Sequence, residues 1–476
     1  MLRIALVVPG AVSLGSYEAG ALSALSGAIS AHRGRVVVDV VAGASAGAIT
    51  GMLFARTLLG GDVSDLERLW LDRTDLAELL ASGHVPGRPR APLGTASLEG
   101  WASAQLGAGL GEPVQDEPIA FVVSMANLQG LGYRFSVRRD PDQEPIEIDT
   151  DTFADWKRFE LSRFTDWTDP SLLDAVVSSA ANAFAFAPVQ IERRRDEYGA
   201  RLRFPVDADA AAFWYTDGGT IDNAPLGRAL DALADRPDSD DSRLVLLLTP
   251  HPTKPPDRWP WDRDMPTFVG TALRAQAIQR SQSLFGDLRR LEKTNTHIAW
   301  RRRLAEALTT LPAEHRAELA RIGREAAADR AGLRGETVPT LSDDEAVAAL
   351  LDTATGTRGK IPIDLAIVSP DLEPGTTPEE LLAGEIAGHF GGFASADARA
   401  ADFGLGYRHM AMWWELRRVF VPSEGFDPLP PHPDRRDQVP PMGSFAIGDI
   451  GLTRLVGWGT RLGWRYLREL ARALRG

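Results

Sequence analysis

The 476-residue sequence predicts a three-layer α/β protein with a mostly parallel central sheet, a helical insertion and a helical C-terminal region. Three observations carry that prediction. "RIALVV" and "VVVDVVAG" are short, β-branched and apolar without alternation, the pattern of strands buried on both faces. "SYEAGALSALSGAI" and "AGAITGMLFARTLL" have helical spacing. The order is strand, helix, strand, helix, which suits a parallel sheet covered on both faces.

The remaining elements follow in chain order. Residues 60–118 are irregular and helical, with the apolar run "LERLWL", and read as a cap near the site. "IAFVVSMANL" and "GYRFSVRR" read as two strands, "LLDAVVSSAANAF" as a helix, and "AFWYTDGG" as a strand ending in a turn. "RLVLLLTP" is another buried strand. The proline-rich "HPTKPPDRWPWDRDMP" reads as a linker into helices over Thr267–Arg334. "IPIDLAIVSP" then returns as one more buried strand, so the helical block is an insertion before the last strand. The expected divisions are a core over 1–260, an insertion over 261–345, and the last strand with a helical C-terminal region over 346–476.

Composition removes several function classes. There are no cysteines, so disulfides, cysteine zinc sites and a cysteine nucleophile are excluded. A net charge of −13 argues against nucleic acid held by a general positive field. No close histidine pair occurs, and "DSDD" at Asp238–Asp241 reads as a solvated loop, so neither a metal nor a cofactor is expected. The first residues, with a single Arg3 before Pro9-Gly10, read as a strand rather than a signal peptide. No apolar run reaches the roughly eighteen residues of a membrane span, so a cytoplasmic location with at most surface membrane contact is expected. The candidate for that contact is the last segment, Gly448–Gly476. There Arg454, Arg461, Arg465, Arg468, Arg472 and Arg475 fall on one helical stripe opposite Leu452, Leu455, Leu462, Tyr466, Leu470 and Leu474. Such basic amphipathic helices either dock on their own domain or lie on a lipid surface.

The chemistry starts at "VVDVVAGASAGAIT". A serine hydroxyl needs exposure, a base and oxyanion donors before it is a useful nucleophile. Ser45 stands between Gly43 and Gly47, at a strand-to-helix turn whose helix N-terminus favours negative charge. Two bases are open. Asp217 ends an apolar strand in "TDGGTIDNAP", with Gly218 and Gly219 forming the turn and Asn223 and Pro225 beyond it. His251 follows directly on a buried strand and completes the order Ser, Asp, His. The turn "VVPGAVSLG" supplies backbone donors, Gly10, Ala11 and Val12, on the same sheet edge, with Ala46 as a further one. It is also phosphate-sized, but it lacks Gly-x-Gly-x-x-Gly and no Gly-Lys-Ser/Thr occurs in it.

These motifs, together with "VVSSAANAFAFAPV", resemble the patatin-like phospholipase family over roughly residues 3–250. The resemblance implies a three-layer α/β/α fold and a lipid or other acyl-ester substrate. It implies Ser45 as nucleophile, Asp217 as base, and no histidine in the site. The oxyanion turn departs from the family's Gly-Gly-Gly-x-Arg-Gly: Leu14 stands at the arginine position, and Ala11 and Val12 replace glycines. "LLAGEIAGHFGGF" and "RAADFGLGYRH" resemble the longer bacterial patatin-related subgroup. The altered turn keeps a lipid-binding or scaffolding protein on the same fold as an alternative.

Overall fold

The computed structural model describes residues 1–82, 85–137, 144, 146–198, 202–204, 208–236, 242–251, 268–334, 337–357, 360, 362–373, 381–385, 389–416, 457, 459–461 and 463–465. The linker after His251, the Asp238–Asp241 loop and most of Gly448–Gly476 lie outside the described residues.

Strands β1 (Leu2–Val8) and β2 (Val36–Ala44) flank helix α1 (Gly15–Ala31), and α2 (Ala46–Leu58) follows β2 after one residue. All nine residues of β2 are buried, as an inner parallel strand requires. Three short helices, α3 (Ser64–Asp72), α4 (Leu76–Ala81) and α5 (Ala96–Leu106), form the segment expected to cap the site. Strands β3 (Ile119–Val137) and β4 (Ile146–Leu161), helix α6 (Pro170–Ser179), and strands β5 (Val189–Arg194), β6 (Leu202–Arg203) and β7 (Ala210–Asp217) come next. Helix α7 (Leu226–Ala234) and β8 (Ser242–Leu248) lead to the long helix α8 (Phe268–Thr309). The order then runs α9 (Ala313–Arg334), α10 (Asp343–Thr355), β9 (Asp364–Val368) and α11 (Ala396–Leu416).

The sheet order is β5-β7-β3-β2-β1-β8-β9, with β4 and β6 also paired to β3. Strands β3, β2, β1 and β8 pair in parallel, and helices flank them. Strands β4, β6 and β7 run antiparallel to β3.

Two expectations change here. The segments read as two strands are one strand, β3, carrying a bulge between Ala126 and Leu131. There Asn127 Oδ1 accepts the N–H groups of Gln129 (3.0 Å) and Gly130 (3.1 Å), and Gly130 adopts φ 76°. The polar turn signal in "NLQG" thus marks a kink inside a strand. The helix read to Phe184 stops at Ser179.

The chain forms two compact units. The first comprises Met1–Leu233, Asp238–Leu284 and Leu365–Gly476 and holds the sheet and its core. Within it α11 crosses α1 in close contact: a Cβ on Gly406 would lie 1.9 Å from the Tyr17 carbonyl oxygen. The second, Ala234–Pro237 with Phe285–Asp364, is helical. Inside that unit Arg301 pairs with Asp352 (2.5 Å), and His297 Nδ1 donates to the Thr355 carbonyl (2.7 Å). It takes in α10, which the sequence reading grouped with the last strand.

Candidate active site

Ser45 alone makes the turn from β2 to α2, with φ 53° and ψ −126°. Positive φ on a non-glycine residue costs about 1–3 kcal/mol and persists only where the surroundings fix it. Here the Ser45 N–H donates to Ser179 Oγ (2.8 Å), and that hydroxyl donates to the Ser124 carbonyl (2.6 Å). The Ser45 carbonyl accepts from Ala48 N–H (3.0 Å). Gly43 pairs with Val8 across β2 and β1. A Cβ on Gly47 would sit 2.1 Å from the Val8 oxygen and 2.3 Å from that of Pro9, so the helix can begin this close to β1 only with glycine there.

Asp217 reaches Ser45 through the strand order. Strand β4 occupies one edge of β3 through Met125 and Ala126. The other edge is taken by β2 up to the pair Ala44–Ser124, and from Met125 onward by β7, where Met125 pairs with Asp217. The two strands therefore meet tip to tip on one edge of β3, rather than lying side by side. Ser45 Oγ donates to Asp217 Oδ2 at 3.1 Å. The carboxylate is buried, at 2% exposure. Its Oδ1 accepts Gly219 N–H (2.8 Å), in the turn that Gly218 begins, and Asn182 Nδ2 lies 3.4 Å from Oδ2. The Asp217 N–H donates to the Ala181 carbonyl (3.1 Å).

The turn between β1 and α1 lies against this pair. Of the three expected donors, Gly10 is already engaged: its N–H donates to the Asn223 carbonyl (2.9 Å). The Gly10 carbonyl in turn accepts from Asn223 Nδ2 (3.2 Å), so Asn223 binds both backbone polar groups of Gly10. The N–H groups of Ala11 and Val12 have no acceptor among the described residues, and both residues are buried. Val12 adopts φ 54°. Ala46, the first residue of α2, has no acceptor within its own helix. His251 Nε2 lies 3.3 Å from the Gly10 carbonyl, while the Ser45 hydroxyl goes to Asp217. Among the described residues no cluster of His, Asp and Glu could hold a metal ion.

The sequence model of the patatin-like phospholipase family matches residues 6–230, which contain Ser45, Asp217 and the turn between β1 and α1. The chain carries a patatin-like phospholipase domain. The family is one of hydrolases acting on lipid esters. A protein of Mycobacterium tuberculosis, named as an uncharacterized membrane protein, is 27% identical over 307 residues. The match covers 58% of this chain but only 28% of that protein, so the chain spans less than a third of its relative's length. Among the described residues here, no helix is long and apolar enough to cross a membrane.

In the patatin-like domain Ser45 lines a cavity. Its walls are predominantly apolar, with Val12, Ile49, Trp70, Val177 and Phe186 among them. The charged groups on its wall, Arg88 and Glu99, are paired at 2.6 Å. Nothing in "VVSSAANAF" itself marks a role at the site. The structure places its Ser179 on the Ser45 N–H and its Asn182 beside Asp217. Of the basic C-terminal helix, the described part Gly459–Arg461 and Gly463–Arg465 is helical. There Arg465 donates to the Pro92 and Leu80 carbonyls, while Trp464 is 70% exposed.

Proposed function

We propose that this chain is a serine lipid acyl hydrolase that works through a Ser45–Asp217 dyad and an acyl-enzyme. The observation that carries the reading is the 3.1 Å hydrogen bond from Ser45 Oγ to Asp217 Oδ2 at the wall of an apolar cavity. The acyl chain lies in the cavity, and the ester carbonyl sits at Ser45. Asp217 takes the hydroxyl proton as Oγ attacks the carbonyl carbon. Negative charge grows on the carbonyl oxygen. The N–H groups of Ala11, Val12 and Ala46 are the donors for it, helped by the positive end of α2. Collapse expels the alcohol, which takes the proton back from Asp217. Water then attacks the acyl-enzyme with Asp217 again as base, releasing the fatty acid and restoring Ser45.

The hydrogen bonding favours the dyad over a histidine triad, because His251 is turned to the Gly10 carbonyl. Labelling with a fluorophosphonate probe tests the reading. Ser45→Ala and Asp217→Asn lose labelling and ester hydrolysis, while His251→Ala keeps hydrolysis within about tenfold of wild type. Abolition by His251→Ala with retention in Asp217→Asn would establish the triad. A folded wild type that takes no label would leave the lipid-binding or scaffolding alternative.

A further inference from the structure

Nothing in "PGAVSLG" itself favours a left-handed valine, yet Val12 stands at φ 54°. A β-branched residue there is strained, so tertiary contacts must impose it. The two residues that follow Val12 are held by the region after β9. Ser13 is fully buried. Its hydroxyl donates to the His389 carbonyl (2.5 Å) and accepts the Gly392 N–H (3.0 Å). The neighbouring Leu14 is also fully buried. A Cβ on Gly384 would lie 2.7 Å from Leu14 Cδ2, and one on Gly392 would lie 2.7 Å from Ser13 Oγ.

That segment is itself anchored to α11. Asp402 accepts the N–H groups of Ala383 (2.7 Å) and Gly384 (2.9 Å). Arg399 Nη1 donates to the Gly392 carbonyl (2.9 Å), and its Nη2 to that of Leu71 (2.8 Å). Phe393, next in the chain, lines the cavity at Ser45. A continuous run of buried hydrogen bonds thus leads from α11 to the turn that holds the Ala11 and Val12 N–H groups.

We propose that Ser13 is a positioning residue for ester hydrolysis. Its hydroxyl fastens the oxyanion turn to residues 389–392, so the C-terminal region is a working part of the site. This rests on the acyl-hydrolase reading above.

The test uses the full chain with Ser13→Ala and, from the other side of the clamp, Gly392→Ala. Each is assayed with p-nitrophenyl butyrate, by circular dichroism, and by amide exchange of the peptide Pro9–Tyr17. Loss of an oxyanion donor costs about 100–1000-fold in kcat, and a loosened one less. The expected result is a kcat reduced about 10–100-fold, KM within about threefold of wild type, and faster exchange of that peptide. An active wild type with unchanged kcat in Ser13→Ala overturns the proposal. So does a kcat loss that merely tracks loss of folded protein. If wild type hydrolyses no ester, the acyl-hydrolase reading fails. The exchange rates then still decide the clamp: faster exchange in both variants upholds it, and unchanged exchange overturns it.

Discussion

Removing the Ser179 hydroxyl is the most informative single perturbation of this site. Ser179→Ala takes away one buried oxygen but breaks two hydrogen bonds, from Ser45 N–H (2.8 Å) and to the Ser124 carbonyl (2.6 Å). Both orphaned groups belong to buried residues, and each unsatisfied buried polar group costs about 1–3 kcal/mol. The summed destabilisation is about 2–6 kcal/mol. The same N–H helps hold Ser45 at φ 53°, so its side chain relaxes away from Asp217. A kcat loss of about 10–100-fold corresponds to about 1.4–2.7 kcal/mol of lost transition-state stabilisation. Urea denaturation followed by tryptophan fluorescence measures the first quantity, and initial rates on p-nitrophenyl butyrate measure the second. A variant within 0.5 kcal/mol of wild type, to use roughly the scatter of surface substitutions, would refute the reasoning, as would an unchanged kcat.

Gly47→Ala places a methyl group 2.1 Å from one backbone oxygen and 2.3 Å from another, so thermal melting should show a loss beyond about 2 kcal/mol, or no soluble protein. Val177→Phe narrows the cavity, and kcat/KM for long-chain p-nitrophenyl esters should fall at least tenfold further than that for butyrate. Burial pulls the His409 imidazole down to about 4, against the opposing pull of the Glu373 carboxylate 3.2 Å away. Between that value and the ordinary value of about 6.5, the unfolded chain takes up a proton that the folded chain refuses. Stability is therefore lost as pH falls from about 6.5 toward 4, and His409→Gln should flatten that part of the acid limb in urea titrations.

The parts of the candidate site that are local in sequence are legible. The turn chemistry around Ser45 and Asp217 is written in adjacent small residues, because a sharp strand-to-helix turn leaves few alternatives. What holds those turns was not legible. Ser179 acts on a residue 134 positions away, and its hydroxyl looks like any helix serine. Gly10 reads as a donor because a glycine turn exposes its N–H groups. Only the fold reveals that Asn223 has taken that one. Strand β4 escaped notice because "IEIDTDTFADW" alternates with acidic residues, and its first half is mostly exposed. The C-terminal region reads as plain helix. Its contribution lies in where Arg399 and Asp402 aim, which no periodicity encodes.

The tip-to-tip meeting of β2 and β7 makes β3 a ruler. Ser45 and Asp217 are spaced by consecutive rungs, Ser124 and Met125, of one backbone ladder. Because side chains alternate faces, a one-residue slip of β7 would send the Asp217 carboxylate to the opposite side of the sheet. The Ser45–Asp217 hydrogen bond is thus all-or-none in register. Gradual drift in loop length or helix packing leaves its spacing untouched, so long insertions elsewhere in the chain can accumulate without detuning the pair.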